Sequence, residues 1–207
     1  MTTVAVVTPW LAHPELLPAY AAAVERADHV TIINNGPSDM DADFLHPGWT
    51  VSKANEPTGF AASNNMGLEL LPDDIDVVVF LNNDVHGDPA WIDRVREDVK
   101  DGALYGPSVG TQTLRGVPIP YVEGWCVAAT RDTWETLGGW DAERFPLPYW
   151  EDVDLSLRAI RAGFQLCRAP WPIHHLGGVS TNSTPGAWDG FDSQRAVIEA
   201  DLDEVLA

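Results

Sequence analysis

Short apolar runs alternate with segments of helical periodicity along the first hundred residues. The runs at residues 4–8 and 29–34, and a weaker run at 49–53, predict buried parallel strands. The strongest strand signal lies at residues 76–82, where nearly all side chains are apolar and many are β-branched. A strand this apolar is buried on both faces, so it is predicted to lie centrally in its sheet.

Helical patterns fill the segments between these runs. One is opened by Pro14, and a second covers residues 59–71. A third is predicted to start at Asp88 and Pro89 and to end at Gly102. Strands that alternate with helices predict an α/β fold, with a mostly parallel open central sheet and helices on both faces.

The second half of the chain is less regular. Residues 121–130 predict one strand with a glycine kink, and Asp132 has the spacing of a capping box that starts a short helix. Residues 151–163 have the periodicity of an amphipathic helix. Residues 165–169 predict a last strand, and the segment beyond Pro170 is rich in turn formers.

Composition and charge limit the classes of protein to which the chain can belong. The 207 residues are 45% hydrophobic and 21% charged, which is typical of a globular chain with one core. The 12 basic and 31 acidic residues give a net charge of −19, so broad nucleic-acid binding is not expected. The longest strongly apolar run, residues 77–81, is too short for a bilayer, and no signal peptide is visible. We therefore expect a cytoplasmic protein without membrane insertion, with Cys126 and Cys167 as buried free thiols.

The central strand ends in a cluster of polar side chains. Asn82, Asn83 and Asp84 follow it directly. Ligands of open α/β sheets bind beyond the carboxyl ends of the strands, and a carboxylate there can hold Mg²⁺ or Mn²⁺. The alternative is that Asp84 merely caps a turn.

A second cluster places Glu151, Asp152 and Asp154 at the start of a predicted helix. Acidic residues are favoured there by the helix dipole alone, but three acids in four positions exceed that need. One of them could accept a proton from a hydroxyl group. If Val153 and Leu157 face the core, Asp152 stands at the mouth of the helix, and we expect it to be the base.

Histidines and aromatic residues supply further candidates. Adjacent histidines in a strand point to opposite sides, so only one of His174 and His175 is expected to face a site. Trp125, Tyr149 and Trp150 lie near these clusters in the sequence and could contribute flat apolar surfaces to a site, although they could equally be core residues.

The absence of three motifs excludes other enzyme classes. The chain has no dinucleotide-binding glycine fingerprint, no P-loop and no nucleophile elbow. It also lacks the glycine-rich loop expected of a sugar-phosphate nucleotidyltransferase.

Five blocks, taken in order, resemble the family-2 glycosyltransferases of the GT-A fold, in particular their rhamnosyltransferase-like branch. The blocks are VAVVTPW, IINNGPSD, NEPTGFAASNNMGLE, VVVFLNNDVHGDPAWI and the segment from Gly138 to Ser180. They cover about residues 3–182. The resemblance implies one GT-A domain over residues 1–207, with a donor-nucleotide half to about residue 100, an acceptor and catalytic half over about 101–185, and an acidic C-terminal helix or tail over about 190–207.

The resemblance also implies an activity and a set of site residues. The activity is inverting transfer of a hexosyl or deoxyhexosyl group from a nucleotide-diphosphate sugar to a hydroxyl acceptor, with Mn²⁺ or Mg²⁺ as cofactor. Asp152 matches the base and Glu151 its neighbour, while Asp84 and His175 match the metal ligands. Residues that match or flank the donor-binding positions are Thr8, Pro9, Asn34, Asn35, Gly59, Asn64, Asn82 and Asn83. The aromatic residues assigned to the acceptor are Trp125, Tyr149 and Trp150.

Two substitutions leave an alternative open. Asn34 replaces an aspartate usual in the family, and Asn82 replaces the first aspartate of its D-x-D element, as in many members of this branch. The alternative is a catalytically inactive module of the same fold that binds nucleotide sugars.

Overall fold

Eleven strands and six helices are formed by the residues that the computed structural model describes, which are 1–36, 40, 45–54, 58–179 and 188–206. The strands are β1 Val4–Trp10, β2 His29–Asn34, β3 Thr50–Lys53, β4 Val77–Leu81, β5 Val85–Gly87, β6 Ala103–Gly106, β7 Val109–Leu114, β8 Val117–Val122, β9 Cys126–Thr130, β10 Gln165–Arg168 and β11 Ile173–His175. The helices are α1 Leu17–Ala23, α2 Phe60–Glu69, α3 Trp91–Asp98, α4 Arg131–Leu137, α5 Glu151–Arg161 and α6 Phe191–Leu206. A short 3₁₀ turn, Pro14–Leu16, precedes α1.

The main sheet has seven strands in the order β10-β6-β9-β4-β1-β2-β3. All neighbouring pairs are parallel except those made by β9, which runs antiparallel to both β4 and β6. The prediction of a mostly parallel sheet with β4 near its centre is confirmed. Two small antiparallel sheets, β5 with β11 and β7 with β8, lie outside it.

Alternation along β1 divides the core between the two faces of the sheet. Val4 and Val6 pack in one apolar cluster with residues of α1 and α3. Ala5 and Val7 pack in a second cluster with residues of α2, α4 and α5. Because successive side chains of a strand point to opposite faces, a run that is apolar at every position requires helices on both sides.

Several predicted boundaries are wrong. Residues 121–130 are not one strand, because residues 123–125 form a turn between β8 and β9. Helix α4 is capped by Thr130, whose hydroxyl accepts a hydrogen bond from the Thr133 amide, rather than by Asp132. Helix α3 ends at Asp98, since Val99 is extended, and Gly102 lies in the following turn with a positive φ. Strand β11 lies in the segment that turn composition had marked as irregular.

The C-terminal acidic segment forms helix α6. Ile198 and Leu202 pack against Val153 and Leu157 of α5 in a third apolar cluster. Both cysteines are free, and Cys126 is buried as expected, whereas Cys167 is partly exposed. In the described part of the chain, no helix is long and apolar enough to cross a membrane.

Candidate active site

Strand pairing brings Asp84 and His175 together at the end of the central strand. Asp84 lies between β4 and β5, and β5 pairs with β11 so that Val85 opposes His175. The His175 Nε2 atom lies 2.9 Å from Asp84 Oδ1, and the Val179 amide donates a hydrogen bond of 3.1 Å to Oδ2. Two candidates 91 residues apart in sequence are therefore in direct contact.

The Asp84 carboxyl is an anion at neutral pH despite its burial. Its residue is only 2% exposed, and burial by itself raises the pKa. The hydrogen bond and charge of His175 and the Val179 amide outweigh that effect, so the pKa of Asp84 is lowered. An ionised carboxylate oxygen beside an imidazole nitrogen is a donor set that Mn²⁺ accepts.

The spacing of this pair also fits a cation. Two ligands in adjacent positions of an octahedral ion, each bonded at about 2.1 Å, lie about 3 Å apart. The observed 2.9 Å agrees with that spacing. Among the described residues no group of three or more His, Cys, Asp or Glu could hold a metal, so this pair would need water or phosphate oxygens as further ligands.

Trp125 and Asn82 surround the imidazole. The Trp125 ring stacks on His175, with ring centres 5.0 Å apart and planes 7° from parallel. The Trp125 indole donates a hydrogen bond of 3.1 Å to Glu123, and the Asn82 Nδ2 atom lies 3.3 Å from His175 Nε2. Trp125, predicted to bind the acceptor, thus packs against a candidate metal ligand, and its contact with an acceptor stays a prediction.

Asp152 is half-buried at the start of α5. Its Oδ2 accepts a hydrogen bond of 3.0 Å from the Gly124 amide, and its Oδ1 accepts one of 2.9 Å from the Val153 amide. Burial raises the pKa of Asp152 to about 6, with the Glu123 charge adding to the rise and the two amides opposing it. A carboxylate with this pKa is suited to accept protons near neutral pH.

The two neighbouring acids have different surroundings. Glu151 is 7% exposed, and its Oε2 has no hydrogen-bond partner in the part of the chain that the structure describes. Burial and the Asp152 charge raise the pKa of Glu151 well above its usual value, which favours its protonated form. Asp154 is buried and forms ion pairs with Arg144 at 3.1 Å and with Arg158 at 2.7 Å. Its carboxylate is therefore already bound by two arginines.

The aromatic residues before α5 have an unusual backbone. Tyr149 and Trp150 have φ values of 81° and 72°, a left-handed conformation that is rare for bulky residues and marks functional sites. The Tyr149 ring stacks on Trp188, with ring centres 4.2 Å apart, and Trp188 is 52% exposed. Trp150 is only 5% exposed and packs on Phe191, so little of its ring is left for an acceptor.

Several residues predicted to bind the donor lie at the carboxyl edge of β1, β2 and β4. Some of their side chains already form contacts within the protein. The Thr8 hydroxyl is buried and 2.6 Å from the Tyr20 hydroxyl, while Pro9 opposes Ile33 within the sheet. The Asn34 side chain accepts a hydrogen bond of 2.9 Å from the Gly36 amide. Which of these residues contacts a donor stays a prediction.

The other donor candidates follow β2 and β4 or lie at the start of α2 or within it. The side-chain amide of Asn35 donates a hydrogen bond of 2.7 Å to the Ser63 hydroxyl of α2. The side-chain amide of Asn83 donates one of 3.1 Å to the Ala12 carbonyl. A Cβ atom on Gly59 would lie 2.1 Å from the Pro146 carbonyl oxygen, so only glycine fits where α2 begins. Asn64 is fully buried, and neither of its amide atoms has a hydrogen-bond partner in the described regions.

Sequence analysis missed Trp188, which has only turn formers around it, and the turn at residues 123–125, which was assigned to a strand. Three parts of the quoted blocks lie outside the described residues: residues 37–39 of the second block, residues 55–57 of the block that contains α2, and Ser180 of the late histidine element.

Comparisons with known proteins give relatives and structural neighbours. No family model matches the chain. Uncharacterized proteins of Mycobacterium tuberculosis and Mycobacterium bovis are 26% identical over 208 residues, which is 88% of this chain and 77% of theirs. Drosophila β-1,4-galactosyltransferase 7, solved as a mutant complex with manganese, UDP-Gal and xylobiose, has a TM-score of 0.60 at 15% identity over 88% of this chain and 74% of that one.

A second structure supports the same fold. The catalytic domain of that Drosophila enzyme, in complex with xylobiose, has a TM-score of 0.55 at 16% identity over 85% of this chain and 71% of that one. Both neighbours are GT-A glycosyltransferases, and the mixed α/β chain described above has the GT-A fold. At these identities the likeness concerns the fold alone.

Proposed function

We propose that this protein is an inverting glycosyltransferase, which transfers a hexosyl or deoxyhexosyl group from a nucleotide-diphosphate sugar to a hydroxyl acceptor. One turn, residues 123–125, contacts both the candidate metal ligands and the candidate base, and this observation carries the proposal. On one side Trp125 packs on the Asp84–His175 pair, and on the other the Gly124 amide holds Asp152. A cation site and a base with a pKa of about 6 are what such a transfer requires.

Asp84 and His175 would hold the divalent ion on the donor side. A bound Mn²⁺ or Mg²⁺ supplies Lewis-acid and electrostatic stabilisation for the departing diphosphate. Asp84 contributes the negative charge, since its pKa is lowered. Trp125 limits the movement of the His175 ring by stacking on it. The structure of the Drosophila neighbour with manganese and UDP-Gal supports this role for the fold.

Asp152 would accept the proton of the attacking hydroxyl. The amides of Gly124 and Val153 fix its two carboxylate oxygens, which orients the base without neutralising it. A single base that activates a hydroxyl for direct displacement inverts the anomeric centre. The raised pKa of Glu151 favours its neutral form, so it would act as a hydrogen-bond donor or a structural group.

A saccharide is the acceptor class that the site favours. Trp188 offers an exposed ring that stacks on Tyr149. Tyr149 lies just before the helix that carries Asp152. Xylobiose in both neighbour structures supports the same class. Membership of the rhamnosyltransferase-like branch of family 2 and a cytoplasmic location are parts of this proposal.

The test is a screen of nucleotide sugars for release of nucleoside diphosphate, with and without Mn²⁺ and with simple saccharides as acceptors. We expect one donor to be turned over in Mn²⁺ and product NMR to give the inverted anomer. Asp152→Asn should bind the same donor, measured by thermal shift, but lose transfer. A donor that stabilises the wild-type fold without turnover with any acceptor would favour the inactive binding module instead.

A further inference from the structure

Two histidines face each other on the outer side of the small β5–β11 sheet. His86 and His174 form its central register pair, and both are exposed. Their ring centres are 5.4 Å apart, and their planes are tilted by 35°. Because side chains alternate along a strand, this pair lies on the opposite face from His175, which contacts Asp84.

We propose that His86 and His174 form a second metal site, for Zn²⁺ or another ion that prefers imidazole ligands. Two imidazoles on one tetrahedral ion, each bonded at about 2.0–2.1 Å, have ring centres about 5 Å apart. The observed 5.4 Å requires only a small side-chain rotation to meet that distance. Water would complete the coordination, and the net charge of −19 attracts cations to the surface.

The two sites differ in the ions they favour. The outer pair offers two imidazole nitrogens, which suit Zn²⁺, Ni²⁺ or Cu²⁺. The inner pair offers the ionised carboxylate of Asp84 and one imidazole, which suits Mn²⁺ or Mg²⁺ with oxygen ligands. The outer site can therefore be filled and measured while a hard cation is present in excess.

An ion on the outer pair would also act on the inner one. The β5–β11 sheet has only three register pairs, and a two-stranded sheet is marginally stable by itself. Strand β11 ends at His175, and β5 begins directly after Asp84. A bridge across the central pair would hold the strands together and so keep His175 against Asp84.

The test uses ZnCl₂ alone as the ligand, with tag-free protein in excess Mg²⁺ and isothermal titration calorimetry as the readout. We expect one Zn²⁺ per chain in the wild type. His86→Ala and His174→Ala should each weaken that binding by at least about tenfold, because each leaves a single imidazole. His46→Ala, which removes another exposed histidine, should bind as the wild type does.

Two further readouts separate the outcomes. Zn²⁺ should shift the imidazole NMR signals of His86 and His174 at one common midpoint, and it should slow hydrogen exchange of the β5 and β11 amides. Wild-type affinity in either His86→Ala or His174→Ala, or its loss in His46→Ala, would overturn the site. Binding without slower exchange would overturn the bridge between the strands. No readout depends on glycosyl transfer, so the outcome is independent of the proposed function.

Discussion

The pH dependence of turnover is the sharpest consequence of how Asp152 is held. The residue has a pKa of about 6 because burial disfavours its charged form and the Glu123 charge adds to that effect. A group with this pKa is about 90% ionised at pH 7 and about 10% ionised at pH 5. A general base must be ionised, so kcat/KM should fall about tenfold between these two values.

Asp152→Asn tests the assignment directly, because the amide keeps the shape of the side chain and removes its basicity. Transfer should fall by at least about 10²-fold, and the inflection near pH 6 should disappear. The assay is release of nucleoside diphosphate in the presence of acceptor, measured from pH 5 to pH 8.5 at saturating Mn²⁺. Donor affinity and the unfolding temperature are measured alongside and should stay close to wild type.

Glu123→Gln is the matched control for the cause of the shifted pKa. Glutamine retains an oxygen that can accept the Trp125 indole hydrogen bond of 3.1 Å, but it removes the charge near Asp152. The inflection should therefore move to lower pH without a large loss of maximal rate. An inflection that persists in Asp152→Asn, or near-wild-type transfer by that variant, would refute the reasoning, and the base would have to be sought elsewhere.

Four further predictions follow from the same contacts. Glu151→Gln should raise the melting temperature at pH 8 but not at pH 4. The pKa of Glu151 is higher in the folded protein than in the unfolded chain, so the contribution of Glu151 to stability is present below the unfolded-chain pKa and is lost as the pH rises through the folded-state pKa. Asp154→Asn should change the free energy of unfolding in urea by less than about 1 kcal/mol at pH 7, because burial raises the pKa of Asp154 and offsets what its two ion pairs contribute, with transfer by the folded fraction unchanged. EDTA should stop turnover, and Asp84→Asn should raise the Mn²⁺ concentration needed for half-maximal rate; full activity in chelator would contradict the metal site. Trp188→Ala should raise the acceptor KM more than the donor KM, whereas equal changes would argue against an acceptor contact.

The parallel half of the fold was predictable because one local signal dominates there. Strand β2, His29–Asn34, has the predicted bounds, and β4 differs from its prediction by one residue at each end. Their side chains are buried on both faces, so the apolar run by itself defines the strand. The hairpin of β7 and β8 was missed because β8 carries prolines at its two exposed positions, and proline within a run argues against a strand.

The site was predictable as a set of residues but not as an arrangement. Sequence pattern could indicate Asp84, which follows a predicted strand, and Asp152, which begins a predicted helix, whereas His175 was indicated by the family resemblance. It could not indicate that Gly124 lies against Asp152, because that contact depends on a turn where the pattern predicted a continuous strand. A Cβ atom on Gly124 would lie 3.2 Å from the Asp152 Cβ atom, so the glycine permits the close approach.

Asn82 explains how a site with one carboxylate can serve the proposed reaction. It stands where an aspartate would add a second negative charge beside Asp84, and its amide nitrogen lies 3.3 Å from His175 instead. The single protein carboxylate then offsets one of the two charges of a divalent ion. The remaining charge is left for the diphosphate of the donor, whose negative charge grows as the sugar leaves. The ion would therefore bind most strongly to the departing group, and binding that strengthens in the transition state is the kind that accelerates a reaction.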